Sequence, residues 1–185
     1  MEPLTQNVKL KTKNSVLVVF TRSAAQTRSW GRKLGKLLRG GEIIGLSGEL
    51  GTGKTCFARG LAEGLGVGKE AWIRSPSFTV INEYDGRLPV YHIDLYRIDT
   101  PNGIEELNLR DYLFSDGVSV IEWFERLPPG EVDEFLRVSM AHTKGNEREL
   151  TFESCGDRYE KILRVLGERN QRGAARKANV AGTTG

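Results

Sequence analysis

Cysteine is scarce in this chain of 185 residues: Cys56 and Cys155 are its two cysteines, far apart and outside any C-x-x-C pattern. That count excludes a disulfide framework and a cysteine-built zinc site, and predicts a reducing, cytoplasmic setting. Long apolar runs are missing too. No stretch approaches the roughly 20 residues of a membrane helix, which excludes a helical membrane-spanning protein. Met1-Glu2-Pro3-Leu4-Thr5-Gln6 has no basic region leading into an apolar stretch, so no secretory signal is expected. The guanine-reading sequence N-K-x-D is absent, and no Asp begins a D-x-x-G, which argues against a GTP switch protein. There is no internal repeat. What is present, 38% hydrophobic and 28% charged residues, suffices for one core at this length.

The net charge of +3 is uneven. Residues 164–185 hold Arg164, Arg169, Arg172, Arg176 and Lys177 against Glu168, a net +4 that leaves −1 on the first 163 residues. A globular domain over 1–166 and a basic, disordered tail over 167–185 are expected. Two readings of the tail stand, a contact with RNA or an acidic partner, and a solvated extension.

Strands and helices alternate along the chain. Ser15–Phe20 reads as a strand, and Ser23 with Gln26 as the start of a helix that Gly40-Gly41 ends. Trp30, Leu34, Leu37 and Leu38 share one face of it. Glu42–Ser47 reads as a buried strand, followed by a glycine-rich turn and a helix from Lys54 to Leu65. Phe78–Tyr84 and Pro89–Asp94 read as strands joined at Asp85-Gly86. Ile104–Phe114 reads as short helical pieces and Val118–Ile121 as a strand. Glu134–Ala141 and Glu147–Phe152 form a closing antiparallel pair, and Asp157–Leu166 a last helix.

Gly48-Glu49-Leu50-Gly51-Thr52-Gly53-Lys54-Thr55 matches G-x-x-x-x-G-K-[ST], the phosphate-binding P-loop. An apolar strand enters it and an apolar-faced helix leaves it. The glycines let the backbone curl until successive N–H groups point inward at an anion. The helix starting near Lys54 aims the positive end of its dipole at the same point. Lys54 can reach the outer phosphates, and the Thr55 hydroxyl can ligate Mg²⁺. Cys56 reads as a packed small residue on the first helical turn.

Such a loop needs a further carboxylate for the metal at the end of a neighbouring strand. Glu122 ends the run Val118–Ile121, and Asp94 ends Pro89–Ile93. A small-molecule kinase on the same fold would add a lid with several arginines. Arg74, Arg87, Arg97 and Arg110 are scattered, which leaves that alternative open beside a non-catalytic, nucleotide-gated binding module.

After the loop come Ser75-Pro76-Ser77-Phe78-Thr79, Val90-Tyr91-His92-Ile93-Asp94-Leu95-Tyr96-Arg97 and Ile121-Glu122-Trp123. In this order and spacing the chain resembles the bacterial TsaE (YjeE) ATPases over about residues 22–152. Ser77 stands where that family more often has Thr, and Phe124 where Pro or another small residue often follows Glu-Trp. The resemblance implies an α/β, P-loop NTPase-like three-layer sandwich with a mixed, mainly parallel central sheet. It implies ATP hydrolysis with Mg²⁺, in support of N6-threonylcarbamoyladenosine synthesis at position 37 of tRNAs that read ANN codons. The implied partners are the TsaD–TsaB heterodimer and the proteins of the threonylcarbamoyl-AMP pathway, with tRNA met through that complex and no membrane.

Carried onto this sequence, Lys54 serves phosphate, while Thr55 and Glu122 serve the metal. Asp94 holds a metal-bound water or positions the attacking one. Ser77 and Thr79 form a segment that senses the γ-phosphate. Trp123 marks the nucleotide pocket or the partner surface, or packs in the core. Gly145, in the loop of the last strand pair, borders the base. His92 reads as a packed or hydrogen-bonded strand residue rather than a general base.

Overall fold

The apolar runs that read as buried strands lie side by side at the centre of one sheet. The computed structural model describes residues 10–11, 14–68, 71, 73–98 and 100–181. The chain runs β1 (Leu10–Lys11), β2 (Asn14–Thr21), α1 (Ala24–Gly35), β3 (Glu42–Ser47), α2 (Lys54–Gly64), β4 (Ile81–Tyr84) and β5 (Val90–Asp94). It continues through α3 (Pro101–Glu105), α4 (Arg110–Leu113), β6 (Val118–Glu122), a 3₁₀ turn (Phe124–Arg126), β7 (Phe135–His142), β8 (Arg148–Cys155) and α5 (Asp157–Ala181). The strand order is β1-β2-β8-β7-β3-β6-β5-β4. Pairing is parallel through β7-β3-β6-β5 and antiparallel on both flanks, so the sheet is mixed with a parallel centre.

Side chains alternate between the faces of this sheet, and two apolar layers result. On one face α1, α2 and α5 bury Trp30, Leu34, Phe57, Leu61, Tyr159 and Leu163 against Leu17, Ile44, Leu46, Val120 and Val138. On the other, the short helical pieces bury Ile104, Leu109, Leu113 and Phe124 against Ile43, Ile93 and Ile121. This is the expected three-layer α/β sandwich. No described helix is long and apolar enough to cross a membrane.

Two helices with glycine on their facing surfaces set the position of the P-loop. A Cβ on Gly31 would lie 2.2 Å from the Phe57 carbonyl oxygen, and one on Gly60 would lie 2.0 Å from that of Arg28. Gly35 and Gly64 repeat the close approach one turn on. α1 and α2 therefore meet backbone to backbone. Gly31→Ala is expected to push them apart and lower stability by about 1–3 kcal/mol, measured by urea unfolding.

Three expectations for individual elements need correction. α1 ends at Gly35, short of Gly40-Gly41, because the Arg87 guanidinium donates to the carbonyls of Gly35 (2.8 Å) and Leu38 (2.6 Å) and satisfies the helix end. The strand expected from Phe78 starts only at Ile81; residues 77–79 form a turn, and Val80 has φ 64° with its carbonyl accepting from Asp94 N–H at 2.9 Å. The last helix, expected over Asp157–Leu166, continues through the segment 167–181. Arg, Glu, Gln, Lys and Ala dominate it, and these favour helix strongly enough to carry α5 past Gly167. Residues 182–185 lie outside the described residues.

At the base of α5, buried Tyr159 accepts a hydrogen bond from Ile43 N–H at 2.8 Å. Burial pushes its phenol up to about 12. Tyr159→Phe leaves that N–H without its partner, and an expected loss of about 1–3 kcal/mol would be read in the same unfolding experiment.

Candidate functional site

The parallel centre brings three strand ends to one edge. Leu46 of β3 pairs with Glu122 of β6, which pairs with Asp94 of β5. β3 runs on through Ser47 into Gly48, whose φ is +135° and whose Cβ would lie 2.2 Å from the Met140 carbonyl oxygen. No side chain fits there, so the loop can lie flat against β7. The loop then rises and re-enters as α2 at Lys54. The N-cap is Gly53, with φ 109° and no capping side chain. The first-turn amides of α2 are therefore left to whatever ligand meets them.

Lys54 lies beneath this loop with 5% of its surface exposed. Its Nζ donates to the carbonyls of Gly48 (2.6 Å) and Glu49 (2.9 Å) and lies 3.8 Å from the centre of the Trp123 ring. Burial lowers its pKa, while Glu122, Glu125 and Asp94 act in the opposite sense. Trp123 itself has φ 60°, and its ring centre lies 5.0 Å from that of Tyr96 with the two rings tilted by 37°. The Arg126 guanidinium lies 5.4 Å from the indole and donates to the Leu95 carbonyl at 3.3 Å. Loop, indole and Tyr96 thus make one wall, and Arg126 lines a separate hollow with Ile98 and Pro128.

Both carboxylates are buried and held from two sides. Glu122 Oε2 accepts from the Thr55 hydroxyl at 2.9 Å, and its Oε1 is 2.8 Å from His92 Nε2. Asp94 Oδ2 accepts from the hydroxyls of Ser75 and Ser77, the latter at 3.0 Å, and its Oδ1 accepts from Tyr96 N–H at 3.0 Å. The pair Thr55 and Glu122 suits a hard cation. Among the described residues there is no group of three or more His, Cys, Asp or Glu able to hold a metal alone. Such a donor set fits Mg²⁺, which takes one or two carboxylates and fills its remaining positions with phosphate oxygens and water.

Between these walls is a cleft of about 560 Å³. It brings together Leu50, Gly51, Gly53, Lys54, Thr55, Ser77, Asp94, Glu122 and Trp123 from the expected set. Gly48 and Glu49 stand behind it, with carbonyls on Lys54, and buried Thr52 donates to the Glu49 carbonyl at 2.8 Å. Thr79 and Gly145 do not line it. The Thr79 hydroxyl donates to Asn82 at 2.9 Å, and Gly145 lies in the turn between β7 and β8 with open space around it. A hollow of about 590 Å³ beside Gly41, Arg110 and Arg158 is lined by none of the expected site residues.

Ser75, Phe78 and Tyr96, none of them an expected site residue, also line the cleft, as does Arg97. The Arg97 guanidinium lies 4.5 Å from the centre of the Phe78 ring. Ser75 carries a weak signal, a second hydroxyl two residues before Ser77 across Pro76. Tyr96 carries another, an aromatic residue two positions beyond a strand-ending Asp.

The family model described as threonylcarbamoyl adenosine biosynthesis protein TsaE matches residues 21–150. The chain belongs to the TsaE family. The TsaE protein of Bacillus subtilis (strain 168) is 37% identical over 142 residues, which are 76% of this chain and 87% of that one. The TsaE protein of Treponema pallidum (strain Nichols) is 39% identical over 131 residues, 71% of this chain and 96% of its own. Both are described as tRNA threonylcarbamoyladenosine biosynthesis proteins. The crystal structure of YdiB from Bacillus subtilis superposes with a TM-score of 0.75 at 32% identity, covering 86% of this chain and 99% of that one. The TsaE match spans β3, the loop and the strand ends of β5 and β6, and so contains the whole cleft.

Proposed function

We propose that the protein is a Mg²⁺-dependent ATPase that assists a TsaD–TsaB transferase complex in forming threonylcarbamoyladenosine on tRNA, in the cytoplasm. The observation that carries the ATPase reading is the convergence of an uncapped helix N-terminus, Lys54, Thr55 and Glu122 on one cleft. The place in tRNA modification rests on membership of the TsaE family.

Each residue has a separable task. The amides of the Gly48–Thr55 turn and the dipole of α2 bind the phosphates. Lys54 leaves the Gly48 and Glu49 carbonyls for phosphate oxygen, an exchange of one set of acceptors for a more strongly charged one. Thr55 and Glu122 hold Mg²⁺, which when bound neutralises phosphate charge. Asp94 orients the attacking water, and Ser75 and Ser77 hold its carboxylate in place. Trp123 and Tyr96 exclude water from one side of the cleft.

The rim supports a macromolecular partner over a small second substrate. Leu50, Phe78 and Tyr96 are 74%, 85% and 40% exposed around the opening. Apolar groups of this size gathered at one mouth suit a protein surface that covers it. Among the described residues Arg97 is the one arginine lining the cleft, where a kinase lid would bring several. The test is phosphate release by the full chain with and without the TsaD–TsaB pair, alongside the modification state of tRNA. Stimulated release of ADP and inorganic phosphate, with modification restored, is the expected result. A phosphorylated small molecule would indicate a kinase, and nucleotide binding without phosphate release in either case would indicate a gated binding module.

A further inference from the structure

His92 lies within β5, with 2% of its surface exposed, next to the strand that ends in Glu122. Its Nε2 is 2.8 Å from Glu122 Oε1. The contact suits donation from His92 Nε2–H to a carboxylate oxygen. Nδ1 is buried and has no hydrogen-bond partner among the described residues. Among the described residues, the hydrogen bond of the ring goes to the carboxylate.

We propose that His92 is a positioning residue that sets the plane of the Glu122 carboxylate for the metal; this rests on the reading of the cleft as a Mg²⁺-nucleotide site. The last torsion of a glutamate side chain is broad, so a carboxylate held at one oxygen can swing. Thr55 holds Oε2 from the first turn of α2, the element that follows the phosphate loop. His92 holds Oε1 from the central sheet. Two donors on separate elements fix the carboxylate in one plane, and a fixed plane binds a cation without first losing rotational freedom. A histidine present only to fill space would do as well as a leucine.

The test separates these roles by donor position. In glutamine the amide nitrogen stands three bonds from Cβ, as His92 Nε2 does; in asparagine it stands two bonds away, as Nδ1 does. ADP affinity of the full chain would be measured by isothermal titration in Mg²⁺ and again in EDTA, for wild type, His92→Leu, His92→Asn and His92→Gln. The expected result is affinity in EDTA within about twofold across all four. The gain from Mg²⁺ should fall by about tenfold in His92→Leu and His92→Asn and be retained in His92→Gln. An undiminished gain in His92→Leu overturns the proposal, as does an equal loss in His92→Gln and His92→Asn. If His92→Leu fails to fold in a thermal melt, the Gln and Asn pair decides. A wild-type protein with no gain from Mg²⁺ overturns the metal-site reading itself, an outcome distinct from either.

Discussion

Lys54→Ala is expected to lower ATP turnover by about a hundredfold or more, measured as phosphate release at saturating nucleotide. Lys54 is the cation at the floor of the cleft, 3.8 Å from the Trp123 ring centre and bonded to two carbonyls of its own loop. Glu122, Glu125 and Asp94 act on its ammonium. Without it Glu122 and Asp94 face the phosphates with no ammonium between them, and a triphosphate would meet like charge. The helix N-terminus remains in Lys54→Ala, so some affinity for nucleotide survives while charge developing on the transferred phosphoryl group goes unmatched. Turnover is thus expected to suffer more than binding. Wild-type turnover in this variant would contradict the assignment.

Glu122→Gln separates metal from phosphate. The amide keeps the shape of the side chain and removes the charge: its oxygen can accept from His92, and its NH₂ can donate to the Thr55 hydroxyl oxygen in place of the bond that Thr55 donated. Mg²⁺-dependent hydrolysis is expected to fall by about a hundredfold, since the one carboxylate bonded to the Thr55 hydroxyl is gone. Nucleotide binding in EDTA should hold or tighten, because a negative group beside the phosphates has been neutralised. The paired measurement is phosphate release against added Mg²⁺ and nucleotide affinity without metal. Parallel loss of both would place Glu122 in the fold rather than at the metal.

Much of the site was legible because its chemistry is local. The loop from Gly48 to Thr55 states its own curvature, dipole and ammonium within eight residues. Glu122 and Asp94 were marked as carboxylates ending apolar runs, and parallel pairing of β5 with β6 brings them level. What was not legible depends on partners far apart in the chain. The Ser75 hydroxyl meets Asp94 across 19 residues, and Thr55 meets Glu122 across 67. Neither contact has a spacing that a sequence reveals. The early stop of α1 depends on Arg87, a residue 52 positions beyond Gly35. Gly31, Gly35, Gly60 and Gly64 read individually as weak helix residues, and their purpose emerges only where α1 and α2 touch. The helix over 167–181 was hidden for another reason. Its charge and small residues resemble a solvated tail, although Arg, Glu, Gln, Lys and Ala also favour helix.

The central claim is that this cleft recognises phosphate, and the most direct measurement compares adenosine, ADP and ATP binding to the full chain in Mg²⁺ by isothermal titration. Affinity is expected to rise by at least about a hundredfold from adenosine to ADP, since the amides, Lys54 and the metal act on phosphate alone. Adenosine binding as tightly as ATP would contradict the account.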